Sequence, residues 1–176
     1  MKNDKIVIGK KAVEGVSYMP NIQLCRIDNR LIHGQVATQW ITTLGSNVVV
    51  VANDKAASDE LQQGLMSMAC PASCSPRFWT VQKTIDTIHK ASESQKIFIV
   101  CDNPSDVLKL VEGGVPIKKV NIGNMHMADG KRQVAKVVAV DDTDVAAFKK
   151  LRDLGVELEI RVVPSQDTED FNKLFQ

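Results

Sequence analysis

Residues 47–52, NVVVVA, constrain this chain more than any other stretch. A strand with one wet face alternates apolar and polar residues, whereas a strand that is apolar at every position has to be covered on both faces. Residues 96–101 (KIFIVC) have the same character. Further β-branched runs occupy residues 22–27, 77–80, 119–122, 134–140 and 156–163. Between them lie helical patterns of ten to fourteen residues, the length of a crossover connection. Residues 34–44 place Val36, Trp40, Ile41 and Leu44 on one stripe, and Gly45 ends it. Residues 58–69 stop at Cys70-Pro71, residues 81–92 turn Ile85 and Ile88 inward, and residues 105–112 close on Gly113-Gly114. Residues 143–154 run from Asp141-Asp142 to Gly155, and residues 167–174 predict a last short helix. Strand and helix alternating in this way predict one α/β domain around a mostly parallel sheet of about seven strands.

At 176 residues the chain suits one such domain, here residues 19–176. Residues 1–18, Lys-rich and without period, read as an N-terminal extension of uncertain status. A net charge of +1 and 5% aromatic residues give no basis for binding nucleic acid. No apolar run reaches the length of a membrane span and the N-terminus lacks a signal-peptide core, so the expected location is the cytoplasm. Cys25 and Cys101 sit in apolar runs and read as buried thiols. Cys70 and Cys74 have the spacing of half a zinc site, but no second Cys/His pair matches it, so no metal is expected.

In an open parallel sheet, ligands gather outside the carboxyl ends of the strands. The stretch after the first strand, Arg26-Ile27-Asp28-Asn29-Arg30-Leu31-Ile32-His33-Gly34-Gln35, carries the most chemistry. A histidine stands at a helix start, where free N–H groups and the helix dipole favour an anion. Gly34 lets backbone approach that anion, Arg26 and Arg30 are of the type that holds phosphate oxygens in a fork, and neutral imidazole is a good nucleophile toward phosphorus. The same residues also suit a solvated loop with an ion pair. Asp54 and Asp102, at strand ends, read equally as site residues or as caps. His126 reads as packing or hydrogen bonding, His89 as surface, and Met66 and Met68 as core.

The run RIDNRLIHGQV resembles the active-site signature of the IIB proteins of the mannose/fructose/sorbose phosphotransferase family. VANDKAASDELQQGLMSMACP, RFWTVQKTIDTIHKA, GGVPIKKVNIGNMH and DVAAFKKLRDLGVELEIRVVP resemble it in the same order, so the likeness covers residue 19 to the C-terminus. RFWTVQKTIDTIHKA and VNIGNMHMADGK are most similar to the N-acetylgalactosamine/galactosamine branch. The resemblance implies a seven-strand, mainly parallel sheet and a phosphotransferase. His33 matches the phosphorylated histidine and Arg30 a phosphate-binding arginine. Asp28 and Arg26 match further polar positions of the loop, where Gly34 and Gln35 complete the phosphate site. Asn29 stands where the family often has an acid. The implied reaction is two transfers: from phosphohistidine of a IIA partner to His33, through Nδ1, then to a sugar hydroxyl held by membrane IIC and IID components. No cofactor is implied. The alternatives are a IIB protein for mannose, fructose or sorbose and, from another class, a hydrolase of the histidine phosphatase type. That type places arginine directly before the histidine, where this chain has Ile32. Asn29, Gln35, Gln39 and the segment after Asp102 are the expected docking contacts.

Overall fold

A computed structural model describes residues 11–13 and 16–175. Residues 1–10, 14, 15 and 176 lie outside the described residues, and with them most of the expected N-terminal extension. Its remainder forms an antiparallel pair, β1 (Lys11–Val13) with β2 (Val16–Tyr18).

Six strands make the central sheet: β3 (Asn21–Asp28), β4 (Val48–Ala52), β5 (Ser75–Trp79), β6 (Lys96–Cys101), β7 (Lys119–Asn124) and β10 (Glu157–Ile160). All neighbours pair in parallel, in the order β10-β7-β3-β6-β4-β5. The expected seventh strand, residues 134–140, is not part of it. That stretch turns back on itself at Lys136-Val137 and forms an antiparallel hairpin, β8 (Arg132–Ala135) with β9 (Val138–Val140). A single bridge, Met125 to Val138, ties it to the end of β7. β-Propensity shows that such residues extend but not that the chain reverses among them, and no Gly, Pro, Asn or Asp marks the turn.

The helices are α1 (residues 34–44), α2 (Glu60–Ala69), α3 (Val81–Thr87), α4 (Pro104–Glu112) and α5 (Asp142–Asp153). Side-chain caps set four starts: Asp59, Thr80, Asn103 and Asp141 each accept an N–H from the first turn. The last expected helix shrinks to a 3₁₀ stretch, Phe171–Phe175. Met66 on α2 is buried as expected, whereas Met68 is 85% exposed because the far side of that helix, with Leu61 and Leu65, faces outward. His89 is half-buried rather than on the open surface.

Two apolar clusters lie on the two faces of the sheet. Cys25, Ile27, Val50, Ile99 and Ile122 pack under α3, α4 and α5 with Val107, Leu110, Phe148 and Leu151. Leu24, Val49, Val51, Phe98 and Val100 pack under α1 and α2 with Val36, Trp40, Ile41 and Met66. The chain leaves β3 for a helix on one face, while its neighbours β6 and β7 lead to helices on the other. The switch point is therefore at the carboxyl end of β3. No helix among the described residues is long and apolar enough to cross a membrane.

Candidate active site

β3 alternates its side chains, so Leu24, Arg26 and Asp28 share the face toward α1. The chain then reverses: the Leu31 N–H donates to the Asp28 carbonyl at 2.9 Å, and Leu31 itself sits at φ 56°. A branched residue in the left-handed region costs about 1–3 kcal/mol. Burial of Leu31 and Ile32, 3% and 4% exposed, works against that cost. The reversal swings His33 back over the strand end, where its Nε2 lies 3.0 Å from Asp28 Oδ2.

Asp28 is wholly buried and surrounded by donors. Oδ2 accepts from Arg26 Nη2 at 2.9 Å and from His33, while Oδ1 accepts from the Arg30 N–H at 3.0 Å, with Arg30 Nε at 3.7 Å. Burial alone pushes its carboxyl up. The His33 hydrogen bond, the Arg26 charge and the Arg30 N–H outweigh it and hold the group below its usual range. An ionised carboxylate only accepts, so the neutral His33 ring carries its proton on Nε2. Nδ1 then keeps its lone pair, without a bond to the described residues, on a side chain 18% exposed. The Arg30 side chain, 47% exposed, stands at the same rim.

Behind His33 the helix begins. Its first backbone bond runs from the Ala37 N–H to the His33 carbonyl at 2.9 Å, so the N–H groups of residues 34–36 precede the ladder. No side chain caps them. A Cβ at Gly34 would meet nothing within 4 Å, so the missing side chain keeps the helix start open to whatever docks from outside. Gln35 is exposed beside it. The middle of α1, Val36–Ile41, is wound as a π-helix, a form met often at functional sites.

Other expected residues fall elsewhere. Arg26, expected on the phosphate, is 0% exposed and lies behind Asp28, its guanidinium taken up by Asp28 and Asn121. It reaches the site only through the carboxylate. Asn29, expected as a docking contact, is exposed, and its amide is also engaged: its Nδ2 donates to the Asp102 carbonyl at 3.0 Å, its Oδ1 accepts the His126 N–H, and its own N–H donates to the Asn124 carbonyl at 3.1 Å. One amide thus fastens the loops after β3, β6 and β7, and Asp102 and His126 enter through their backbone. Gln39 is half-buried. Asp54 accepts the Val81 N–H at 2.9 Å and so supports the start of α3. Cys25 and Cys101 are fully buried, and burial with the nearby Cys70 pushes the Cys74 thiol up to about 11. A cavity of about 180 Å³ lined by Val50, Trp79 and Ile88 lies away from the loop.

Behind Arg26 stand Gly123 and three residues to which the sequence alone assigns no role, Asn121, Glu159 and Arg161. Asn121 and Glu159 carry a signal in their type, an amide and a carboxylate at positions where strands bury their side chains.

The family described as PTS system sorbose subfamily IIB component matches residues 22–176. The chain is 53% identical over 156 residues to the N-acetylgalactosamine-specific phosphotransferase enzyme IIB component 2 of Escherichia coli K12, covering 89% of this chain and 99% of that protein. It is 38% identical to the fructose-specific EIIB component of Bacillus subtilis 168, covering 90% and 98%. Among solved structures it superposes on N-acetylgalactosamine-specific IIB component 1 from Escherichia coli with a TM-score of 0.83 at 45% identity, covering 86% and 99%. The IIB domain of the sorbose permease from Klebsiella pneumoniae gives 0.83 at 35% identity, covering 88% and 95%. With its parallel sheet, its histidine at the switch point and these relatives, the chain belongs to the sorbose subfamily of phosphotransferase-system IIB components, which are phosphotransferases.

Proposed function

We propose that this chain accepts a phosphoryl group on His33 from the phosphohistidine of a IIA partner and passes it to an amino sugar, N-acetylgalactosamine or galactosamine. The sugar is held by membrane IIC and IID components, at whose cytoplasmic side the chain works. The observation that carries this reading is the His33–Asp28 bond. With the Nε2 proton turned toward Asp28, it supports Nδ1 as the nucleophile, beside Arg30 and an uncapped helix start.

In the first transfer Nδ1 forms a bond to phosphorus as the bond to the donor imidazole breaks, and the donor ring leaves with that electron pair. His33 gives up no proton: it keeps Nε2–H, so its ring gains positive charge, which the Asp28 carboxylate offsets. Arg30 and the N–H groups of residues 34–36 hold the phosphoryl oxygens, the task first assigned to Arg26 as well. In the second transfer a sugar hydroxyl forms a bond to phosphorus as the bond to Nδ1 breaks, the hydroxyl proton leaves to a base on the partner side, and the His33 ring takes back the electron pair of the broken bond and is neutral again.

The mannose-specific EIIAB component of Escherichia coli K12 is 41% identical to this chain over 44% of its own length, and its name joins A and B in one protein. That supports a IIA donor for this chain. The amino sugar rests on the N-acetylgalactosamine-specific relatives. Fructose- and sorbose-specific relatives are 38% and 37% identical. The relatives named above are sugar-specific phosphotransferase-system components, not hydrolases, and Ile32, where the hydrolase class has arginine, is buried.

Labelled phospho-IIA is the test. The chain is expected to take up an acid-labile, alkali-stable label on the peptide containing His33, and His33→Ala is expected to take up none. Full labelling of His33→Ala, or release of free phosphate at every turnover, overturns the reading.

A further inference from the structure

The polar residues behind the site extend well beyond the loop that carries it. Arg26 Nη1 donates to Asn121 Oδ1 at 2.5 Å and to the Arg161 carbonyl at 3.3 Å. Asn121 Nδ2 donates onward to Glu159 Oε1 at 3.1 Å and to the Arg161 carbonyl at 3.0 Å. Glu159 is held in turn by Arg161 Nη2 at 3.0 Å and Lys119 Nζ at 2.8 Å. One line of bonds therefore crosses β3, β7 and β10, from the imidazole to the edge of the sheet.

Chemistry gives this line a direction. A guanidinium only donates and a carboxylate only accepts, so Asn121 has one satisfying orientation, oxygen toward Arg26 and NH₂ toward Glu159. Glu159 and the Arg161 carbonyl thus fix how the amide faces, and the amide holds Nη1, leaving Nη2 aimed at Asp28. The surroundings are cut to fit. A Cβ on Gly123 would lie 1.9 Å from Arg26 Cζ. The Trp40 ring centroid lies 5.2 Å from Arg26 Cζ and 5.3 Å from Arg161 Cζ, and its indole N–H is fixed on the Val162 carbonyl at 2.9 Å. Stability does not account for such a cluster, because apolar side chains of the same volume usually serve as well.

We propose that Asn121 and Glu159 are positioning residues for the transfer, holding the Arg26 guanidinium on Asp28 and so setting how firmly Asp28 grips the Nε2 proton of His33. This rests on the reading of His33 as phosphoryl carrier, because the positive charge arriving on the ring is what that grip balances. The charged groups at the imidazole are Asp28 with Arg26 and Arg30, from β3 and its loop, and behind Arg26 stand Lys119 from β7 and Glu159 and Arg161 from β10 and its end. Asp102 and His126 stand in the loops that Asn29 fastens, and α1 carries no ionisable residue.

Two variants test it, with His33 followed by nitrogen NMR across pH and transfer from a phosphohistidine donor measured over the same range. Asn121→Asp keeps an acceptor for Arg26, cannot donate to Glu159, and draws Arg26 off Asp28. The His33 titration is expected to rise by about one pH unit, and the acid limb of the rate profile with it. Glu159→Gln weakens the hold on the Asn121 amide and so on Arg26, and both are expected to rise, by less, whereas loss of a negative charge alone would lower them. If Asn121→Asp does not fold, Glu159→Gln decides alone. A lower melting temperature with an unmoved His33 titration, or a shift of the opposite sign, overturns the proposal. A normal titration response in a protein that accepts no phosphoryl group would instead overturn the function and leave the coupling standing.

Discussion

The same three strands meet opposite surroundings on their two faces. Toward α3, α4 and α5, β3 presents Cys25 and Ile27, β7 Val120 and Ile122, and β10 Leu158 and Ile160, all buried and apolar. Toward Trp40 they present Arg26 and Asp28, Asn121 and Gly123, and Glu159, equally buried and nearly all polar. The apolar face gains free energy with every ångström squared removed from water and tolerates swaps of similar volume. The polar face gains little on balance, because desolvation offsets attraction, yet each of its groups has one acceptable position. A face that stabilises lets the other be organised around one imidazole.

The contrast is sharpest at two buried positions of similar cost. Gly123→Ala drives a methyl into the Arg26 guanidinium, and displacing one member of a buried pair costs about 3–5 kcal/mol. Urea unfolding should show that loss, and phosphoryl uptake should fall with it. Phe148→Ala, on the apolar face, is expected to lose about 3–5 kcal/mol as well but to leave the His33 titration in place. A moved titration in Phe148→Ala would mean that the faces are not separable.

Acid comes next in size. Burial pushes Glu159 up, but bonds from Lys119 and Arg161 bring it below its usual range, as His33 and Arg26 do for Asp28. Because both folded carboxyls bind protons less readily than the unfolded chain, the stability they add is present above the ordinary values of 3.8 and 4.5. It is lost as pH falls through the folded values below them. Unfolding curves from pH 6 to 3 should decline in the wild type and decline less in Asp28→Asn. Equal slopes would show that the polar face is not where acid acts.

The smallest change in stability belongs to the rim. Gly34→Ala meets no neighbour, and Arg30→Lys keeps the charge of an exposed side chain at the edge of Asp28, so both are expected to unfold within about 0.5 kcal/mol of the wild type. Both should slow uptake from phospho-IIA, the first by crowding the helix start and the second by losing the guanidinium fork. Unchanged rates would assign Arg30 to the solvated loop.

By itself the sequence determined the class of fold and the place of the chemistry, because runs that are apolar at every position need cover on both faces and RIDNRLIHGQ stands at the end of the first predicted strand. It also announced where α1, α2 and α4 end, because Gly45, Pro71 and Gly113 are local stop signals, and the buried thiols Cys25 and Cys101. Only the tertiary structure decided that residues 134–140 reverse into a hairpin, since a turn without glycine, proline, asparagine or aspartate leaves no local mark. Only it showed that Arg26 is held beneath the site while Arg30 stays at the rim. The two lie four positions apart, one in β3 and one in the loop after it, and look alike as residues. What separates them is Asn121, Gly123 and Glu159 on strands 95 to 133 positions further on. Which groups share a buried charge depends on which strands lie side by side, and the strand order β10-β7-β3 is a property of the folded sheet.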